Sequence, residues 1–425
     1  MKTREGAIGV GGGHAHRAGA GQQIVVGQTA RTVLLAVLGA ALLATVIGLV
    51  VWWPAADAVE RSADNGGPAA QFAAPGVSFP SGEIVKVAPR CPGDGLPDGS
   101  GCSTLHVKVA GEPEPVVVPV PGHVLDSGLK AGDKVELQRT PPPEQAPAPE
   151  DPAQGQPASG AGYSYFATDR DGTLWWLAIA FVVVVLVIAR WRGLFALLSL
   201  GFGGLVVWWW MLPALLEGSS GVAVALVSAS AIMFVVLYVT HGFSLRTSTA
   251  LAGTLAGIVL TAGIGLIAIG DARLIGITDE SGQILATFGA LDFQSLLACA
   301  LVIAGLGVLN DVTITQASAV WELRAASPDA GVAEIFARAM RIGRDHIAST
   351  IYTIVFAYVG TALILLMLLR VYDRPLLDLL TTEQLAEEVV RTLVTSIGLV
   401  LAVPITTAIA ALIASPSRDL LRADS

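Results

Sequence analysis

LLACALVIAGLGVLNDVTITQASAVWELR, residues 296–324, decides how this chain is read. Residues 296–309 form an apolar stretch of 14, whereas a helix needs about 20 to cross a hydrocarbon core roughly 30 Å thick. A helix that crosses here must carry Asp311 into the bilayer. An ionisable side chain at such depth costs at least about 2.5–3.5 kcal/mol on insertion scales, and it normally faces a bundle interior or a water-filled path. At 3.6 residues per turn, Asp311, Thr315, Ser318 and Glu322 share one face. Asn310 stands beside them, and Ala304 and Gly307 extend the face with small residues that permit close helix approach. The functional reading is a proton or ion path gated by Asp311, because a carboxylate held in low dielectric takes up a proton more readily than one in water. Two plainer readings compete. The segment ends at Leu309 as a re-entrant piece capped by Asn310-Asp311, or Asp311 only ties helices together by hydrogen bonding.

The rest of the chain supports a membrane setting. Hydrophobic residues make up 53% of the 425 and charged residues 14%, where soluble domains average about 25% charged. This composition argues against a cytosolic enzyme, a nucleic-acid binder and a disordered chain. A first apolar run at 32–53 ends in Trp52-Trp53, an interfacial pair, and is longer than a signal-peptide core. Further runs lie near 173–190, 193–212, 220–240, 247–270, 294–320, 349–370 and 391–414, making eight spans with the first. Residues 1–31 are a Gly-rich basic tail expected to be disordered and cytoplasmic, and 415–425 a second cytoplasmic tail. Placing the N-terminus inside puts Lys2, Arg4, Arg17, Arg31, Arg190, Arg192, Arg246, Arg324, Arg338, Arg341, Arg344, Arg418 and Arg422 in the cytoplasm. Only Arg273, Arg370, Arg374 and Arg391 then fall in short outer segments, as the positive-inside rule requires. The expected location is a bacterial plasma membrane.

Residues 54–172 change character. Leu105, Val107 and Val109 alternate with His106 and Lys108. Val116 and Val118 alternate likewise, and Val135 and Leu137 follow a Gly-Asp-Lys turn. This period of two predicts strands of a small extracytoplasmic β-barrel or sandwich, with a Pro-rich linker over 140–160. Cys91 and Cys102 lie there, and two cysteines at this spacing in an extracytoplasmic domain suggest a disulfide. Free thiols and a metal site compete, but His106 is the one further ligand nearby.

After Glu322 and Arg324, Ser327-Pro328-Asp329 is a helix-start signal. The helix it opens carries Val332, Ile335, Phe336, Ala339 and Met340 on one face and Arg338, Arg341 and Arg344 on another. It is expected to lie along the inner membrane surface before Asp345-His346 and the next span. The plain reading makes it a connector. The sharper one pairs Arg341 or Arg344 with Glu322 or Asp345 and couples them to the proton state. Pro404 is expected to kink the last span. No phosphate-binding loop, hydrolase motif or zinc motif stands out. No cofactor, metal, catalytic residue or enzymatic activity is expected.

Four segments resemble the YibE/YibF family of bacterial membrane proteins. They are Tyr238-Val239-Thr240-His241-Gly242-Phe243-Ser244-Leu245-Arg246-Thr247, Asn310-Asp311-Val312 through Gln316 to Leu323, Met340-Arg341-Ile342-Gly343-Arg344-Asp345-His346-Ile347-Ala348, and Arg391-Thr392-Leu393-Val394 through Leu399. The resemblance covers roughly 80–415 and implies a multi-pass plasma-membrane protein. The last five helices also resemble, more weakly, the membrane half of SecD/SecF and RND transporters. Phe243-Ser244-Leu245-Arg246 is similar to their inner loop, Asn310-Asp311 to their intramembrane Asp site, and Glu322 and Arg324 to the helix end that follows. That likeness implies proton coupling at Asp311. The second and third helices have no counterpart there, and the soluble domain is β-rich rather than αβ. The function expected is proton-coupled transport or assistance to translocation. The alternative is a scaffold or receptor whose outer domain binds a partner. The partners expected are the lipid bilayer, an extracytoplasmic protein or small molecule, and a second copy of the chain, with no nucleic acid.

Overall fold

The computed structural model describes residues 27–65, 76–91, 102–141, 162–278, 280–286, 291–371 and 375–415. Most of the tail expected at 1–31, nearly all of the Pro-rich 140–160, Arg374, and the tail beyond Ser415 with Arg418 and Arg422 lie outside these residues. The chain divides into two compact units. One comprises Met1–Pro54, Ser199–Thr278 and Asp292–Ser425, and the other Ala55–Leu198 and Asp279–Leu291.

Helix α1 (Gln28–Val51) matches the first apolar run and starts a turn earlier than its hydropathy suggests. The short α2 (Ala58–Asn65) follows. The strands are β1 (Ser81–Val87), β2 (Thr104–Val109), β3 (Val116–Pro119), β4 (Lys134–Thr140) and β5 (Gly162–Thr168), with a helical turn α3 (Gly122–Leu125) before β4. They form one antiparallel sheet in the order β3-β2-β1-β4-β5. Alternation decides its faces. Leu105, Val107, Val118, Val135 and Leu137 all turn inward to a core that Ile84 and Val120 complete. The edge strands β3 and β5 approach each other, so the sheet curls toward a barrel. Cys91 and Cys102 are joined by a disulfide, with Cα atoms 5.1 Å apart. It closes the connection between β1 and β2, where the Cys91 amide also donates to Ser103 Oγ.

Helix α4 (Asp171–Val206) is interrupted at Arg190, whose left-handed φ of 52° breaks the helical path. The sequence divides two spans at this point. A wide turn over Val207–Met211 then leads into α5 (Leu212–Leu216), and Trp210 in that turn donates to the Leu49 carbonyl of α1. Next come α6 (Gly221–His241), α7 (Leu245–Ala272), α8 (Glu280–Ala286) and α9 (Phe293–Ala326). The chain finishes with α10 (Val332–Thr361), α11 (Leu363–Val371), α12 (Leu376–Leu380) and α13 (Glu383–Ile413). Among the described residues six stretches are long and apolar enough to cross a bilayer, or seven if the bent pair α10–α11 is one span. Eight were expected. The difference lies at Asp171–Leu216, a single stretch despite its turn at Arg190.

The α10 segment departs from expectation. In place of a surface helix followed by a separate span at 349–370, one helix runs unbroken through Arg341, Arg344 and His346. It breaks instead at Ala362, where α11 turns away by 62°. Nothing near Asp345-His346 interrupts the backbone ladder, and charge alone does not end a helix.

Helices α7, α9 and α13 pack most closely on one another, with α6, α1 and α10 around them. Glycines set these contacts. A Cβ on Gly257 would stand 3.0 Å from the Leu309 side chain and 3.1 Å from Ala402. Small residues at these positions let the helix backbones approach closely.

Candidate functional site

Helix α9 starts where Asp292 accepts a hydrogen bond from the Ser295 amide, a side-chain cap for an otherwise orphaned donor. Its length lets it carry two polar faces. One is buried. Thr313 meets Thr254 of α7 through a 2.6 Å hydroxyl contact. Gln316 donates to the Ala339 carbonyl of α10 and, at 2.8 Å, to the Thr407 hydroxyl of α13. Gly343 of α10 makes room for Gln316.

The other face is the one the sequence singled out. Asp311, Thr315 and Glu322 are exposed, and Ser318 and Asn310 are half-buried. Ala304 is exposed too, and a Cβ on Gly307 would meet nothing within 4 Å. The stripe therefore lies open on the single chain, not turned into the bundle. Asp311 is 71% exposed, and its Oδ2 stands 3.8 Å from Nε2 of the half-buried His346. That nitrogen and Asn310 Oδ1 are both inaccessible to solvent and have no hydrogen-bond partner. Thus α9 and α10 bring a carboxylate and an imidazole together, an association that sequence spacing did not specify.

The other coupling candidates separate. Arg324 is buried and donates to the carbonyls of Pro328 and Ala330 and to Ser415 Oγ. It ties the end of α9 to the start of α10 and the end of α13. Arg341, Arg344 and Asp345 are exposed on α10. Among the described residues, no ion pair joins either arginine to Glu322 or Asp345.

The turn between α6 and α7 explains another of the quoted segments. Gly242 takes a φ of 78° to end α6. Ser244 caps α7 by accepting from the Thr247 amide, Phe243 stacks on Tyr238, and the Tyr238 hydroxyl meets Ser248.

Sequence reasoning missed one charged group. Helix α13 begins eight residues before the expected span, and its first turns hold Glu387, Glu388 and Arg391. Arg391 bonds both acids, at 2.6 Å to Glu387 and 2.9 Å to Glu388. The i, i+3 and i, i+4 spacing of Glu-Glu-x-x-Arg was the available signal. Hydropathy hid it by ending the apolar run at Arg391.

The architecture is that of a membrane protein: a bundle of long apolar helices with a small antiparallel sheet, and polar residues placed at two faces of a central helix. Residues 177–416 match the model of the YibE/F-like protein family, and the chain belongs to that family. No curated protein and no solved structure matches it.

Proposed function

We propose that the chain is a proton-coupled transporter or translocation-assisting protein of the bacterial plasma membrane. Both termini are cytoplasmic, the sheet is outside, and Asp311 is the proton switch; eight spans cross the bilayer when Asp171–Leu216 is divided at Arg190 and the bent pair α10–α11 counts as one. The observation that carries this reading is the approach of Asp311 to His346 between two helices of the bundle. An ionised aspartate attracts a protonated imidazole, and a proton gained by one or lost by the other removes that attraction. Helix α10 buries only a narrow stripe, with Ile335, Ala339, Gly343 and Ile354 buried, so a small change in pairing can shift it against α9. The small residues above Asp311 and the hydroxyls below it supply a track toward the cytoplasm, and a second copy of the chain covers the track where a single copy leaves it open.

Proteoliposomes containing a pH-sensitive dye test the proposal. Asp311→Asn is expected to abolish proton flux while the protein stays folded, and flux equal to that of the parent would sink the idea. The openness of the stripe favours a second reading, a scaffold in which Asp311 and its neighbours hold copies together without transport. In that case Asp311→Asn changes the oligomeric state and no proton flux is seen in the parent.

A further inference from the structure

One side of α10 is unclaimed by the bundle. Its buried residues, Ile335, Ala339, Gly343 and Ile354, lie along a single stripe. At helical spacing the opposite side carries Arg341 and Arg344, then Ala348, and then Tyr352, Val355 and Val359. All six are exposed. The last four make an apolar band for lipid tails to cover, and the two arginines stand where that band ends. Charged groups are too costly in hydrocarbon to sit further in, so the arginines mark the headgroup level.

These two guanidinium groups have no protein partner. Among the described residues no hydrogen bond or ion pair holds Arg341 or Arg344. Arg338, one turn earlier, differs, because it is bonded to Glu334 and to the Ser327 hydroxyl. Asp345 is exposed beside the pair, but an open i, i+4 contact with Arg341 is too weak to hold it. Two guanidinium groups against one carboxylate leave the patch net positive. Side chains three residues apart on a helix are neighbours, and each guanidinium presents a planar fork of donors that matches the oxygens of a phosphate. One phosphate can therefore accept from both, with apolar chains attached to it lying along Tyr352, Val355 and Val359. We propose that Arg341 and Arg344 hold the headgroup phosphate of an anionic phospholipid against α10. The positive charge of the patch selects an anionic lipid over a zwitterionic one, and the apolar band that continues from it selects a lipid over a soluble phosphate. The proposal stands whether or not Asp311 moves protons.

The test is native mass spectrometry of the full chain released from detergent, with phosphatidylglycerol and phosphatidylcholine of the same acyl chains in competition. At its tightest site the parent is expected to prefer phosphatidylglycerol at least about fivefold. Replacing both arginines, Arg341→Gln with Arg344→Gln, should remove that preference, and either substitution alone should reduce it. Both side chains are exposed and unbonded, so these variants should elute as monodisperse protein. Arg338→Gln takes a charge from the same helix and should leave the preference as in the parent. A parent without preference, a double variant that keeps it, or an equal loss in Arg338→Gln would each overturn the proposal, the last by reducing the effect to overall charge. Displacement of the lipid by glycerol 1-phosphate at matching concentration would also overturn it, marking a site for soluble anions.

Discussion

The two polar faces of α9 differ in every respect that matters to energy. Thr313 and Gln316 are neutral, buried and bonded to three neighbouring helices. Asp311, Thr315 and Glu322 are open, and two of them are charged. A buried polar group without a partner costs about 1–3 kcal/mol, so the inner face has to be satisfied for the bundle to exist. On the outer face Asp311, Thr315 and Glu322 carry no such demand in the single chain, although Asn310 Oδ1 beside them is inaccessible and unpartnered. Its residues are free to meet a proton, water or another helix, and they are the ones to suspect of function. The inner face sets helix position.

Three substitutions in the bundle probe that contrast through stability, in decreasing order of expected effect, and a fourth in the sheet probes a paired polar group by titration. Gly398 of α13 lies against Thr261 of α7, with no room for a Cβ. Gly398→Leu should cost at least about 3 kcal/mol by overpacking, read as loss of monodisperse protein on detergent extraction. A normal yield would mean that the central packing tolerates what its geometry forbids. Gln316→Ala should cost about 2 kcal/mol through its lost partners, seen as a lowered midpoint in thermal unfolding.

The sheet supplies an intermediate case. Tyr163 donates to Glu112 at 2.7 Å, and that bond, more than burial, raises the phenol above its ordinary range. A raised acid contributes stability that is complete below its unfolded pKa, about 10 for tyrosine, and lost as pH climbs through the folded value. Alkaline titration at the tyrosinate absorbance band, parent minus Tyr163→Phe, should therefore show one phenol ionising above the ordinary value. A midpoint at or below it would contradict the pairing. Asp311→Asn should move stability least, within about 0.5 kcal/mol. A large loss in the same unfolding assay would place Asp311 with the packed face after all.

Much of the helical framework is legible in the chain. The apolar runs at 220–240 and 247–270 fall within two residues of α6 and α7 at each end, because uninterrupted hydropathy marks a helix that must bury every backbone group. The alternation at Leu105, Val107 and Val109 gives β2 correctly, as Val135 and Leu137 give β4. Strand β1 escaped notice, since its inward residues Gly82 and Ile84 present one apolar side chain and a glycine. Strand β5 escaped because Tyr163 and Tyr165 are partly buried aromatics with polar ends rather than aliphatic markers. The start of α13 was lost for a different reason. Glu387, Glu388 and Arg391 lower hydropathy as separate charges, although together they form one bonded group.

By itself the sequence determined that Asp311, Thr315, Ser318 and Glu322 share a face if the helix runs through them, since that follows from local periodicity, while the structure decided that α9 continues past Leu309 to Ala326. Only the tertiary structure decided that this face lies open, that His346 comes to Asp311, and that Gln316 rather than Asp311 bridges three helices. Such outcomes depend on which neighbours flank a helix and how closely they approach. That is set by notches such as Gly257 and Gly343 and by the break at Ala362, and pairing across helices has no period to read along one chain.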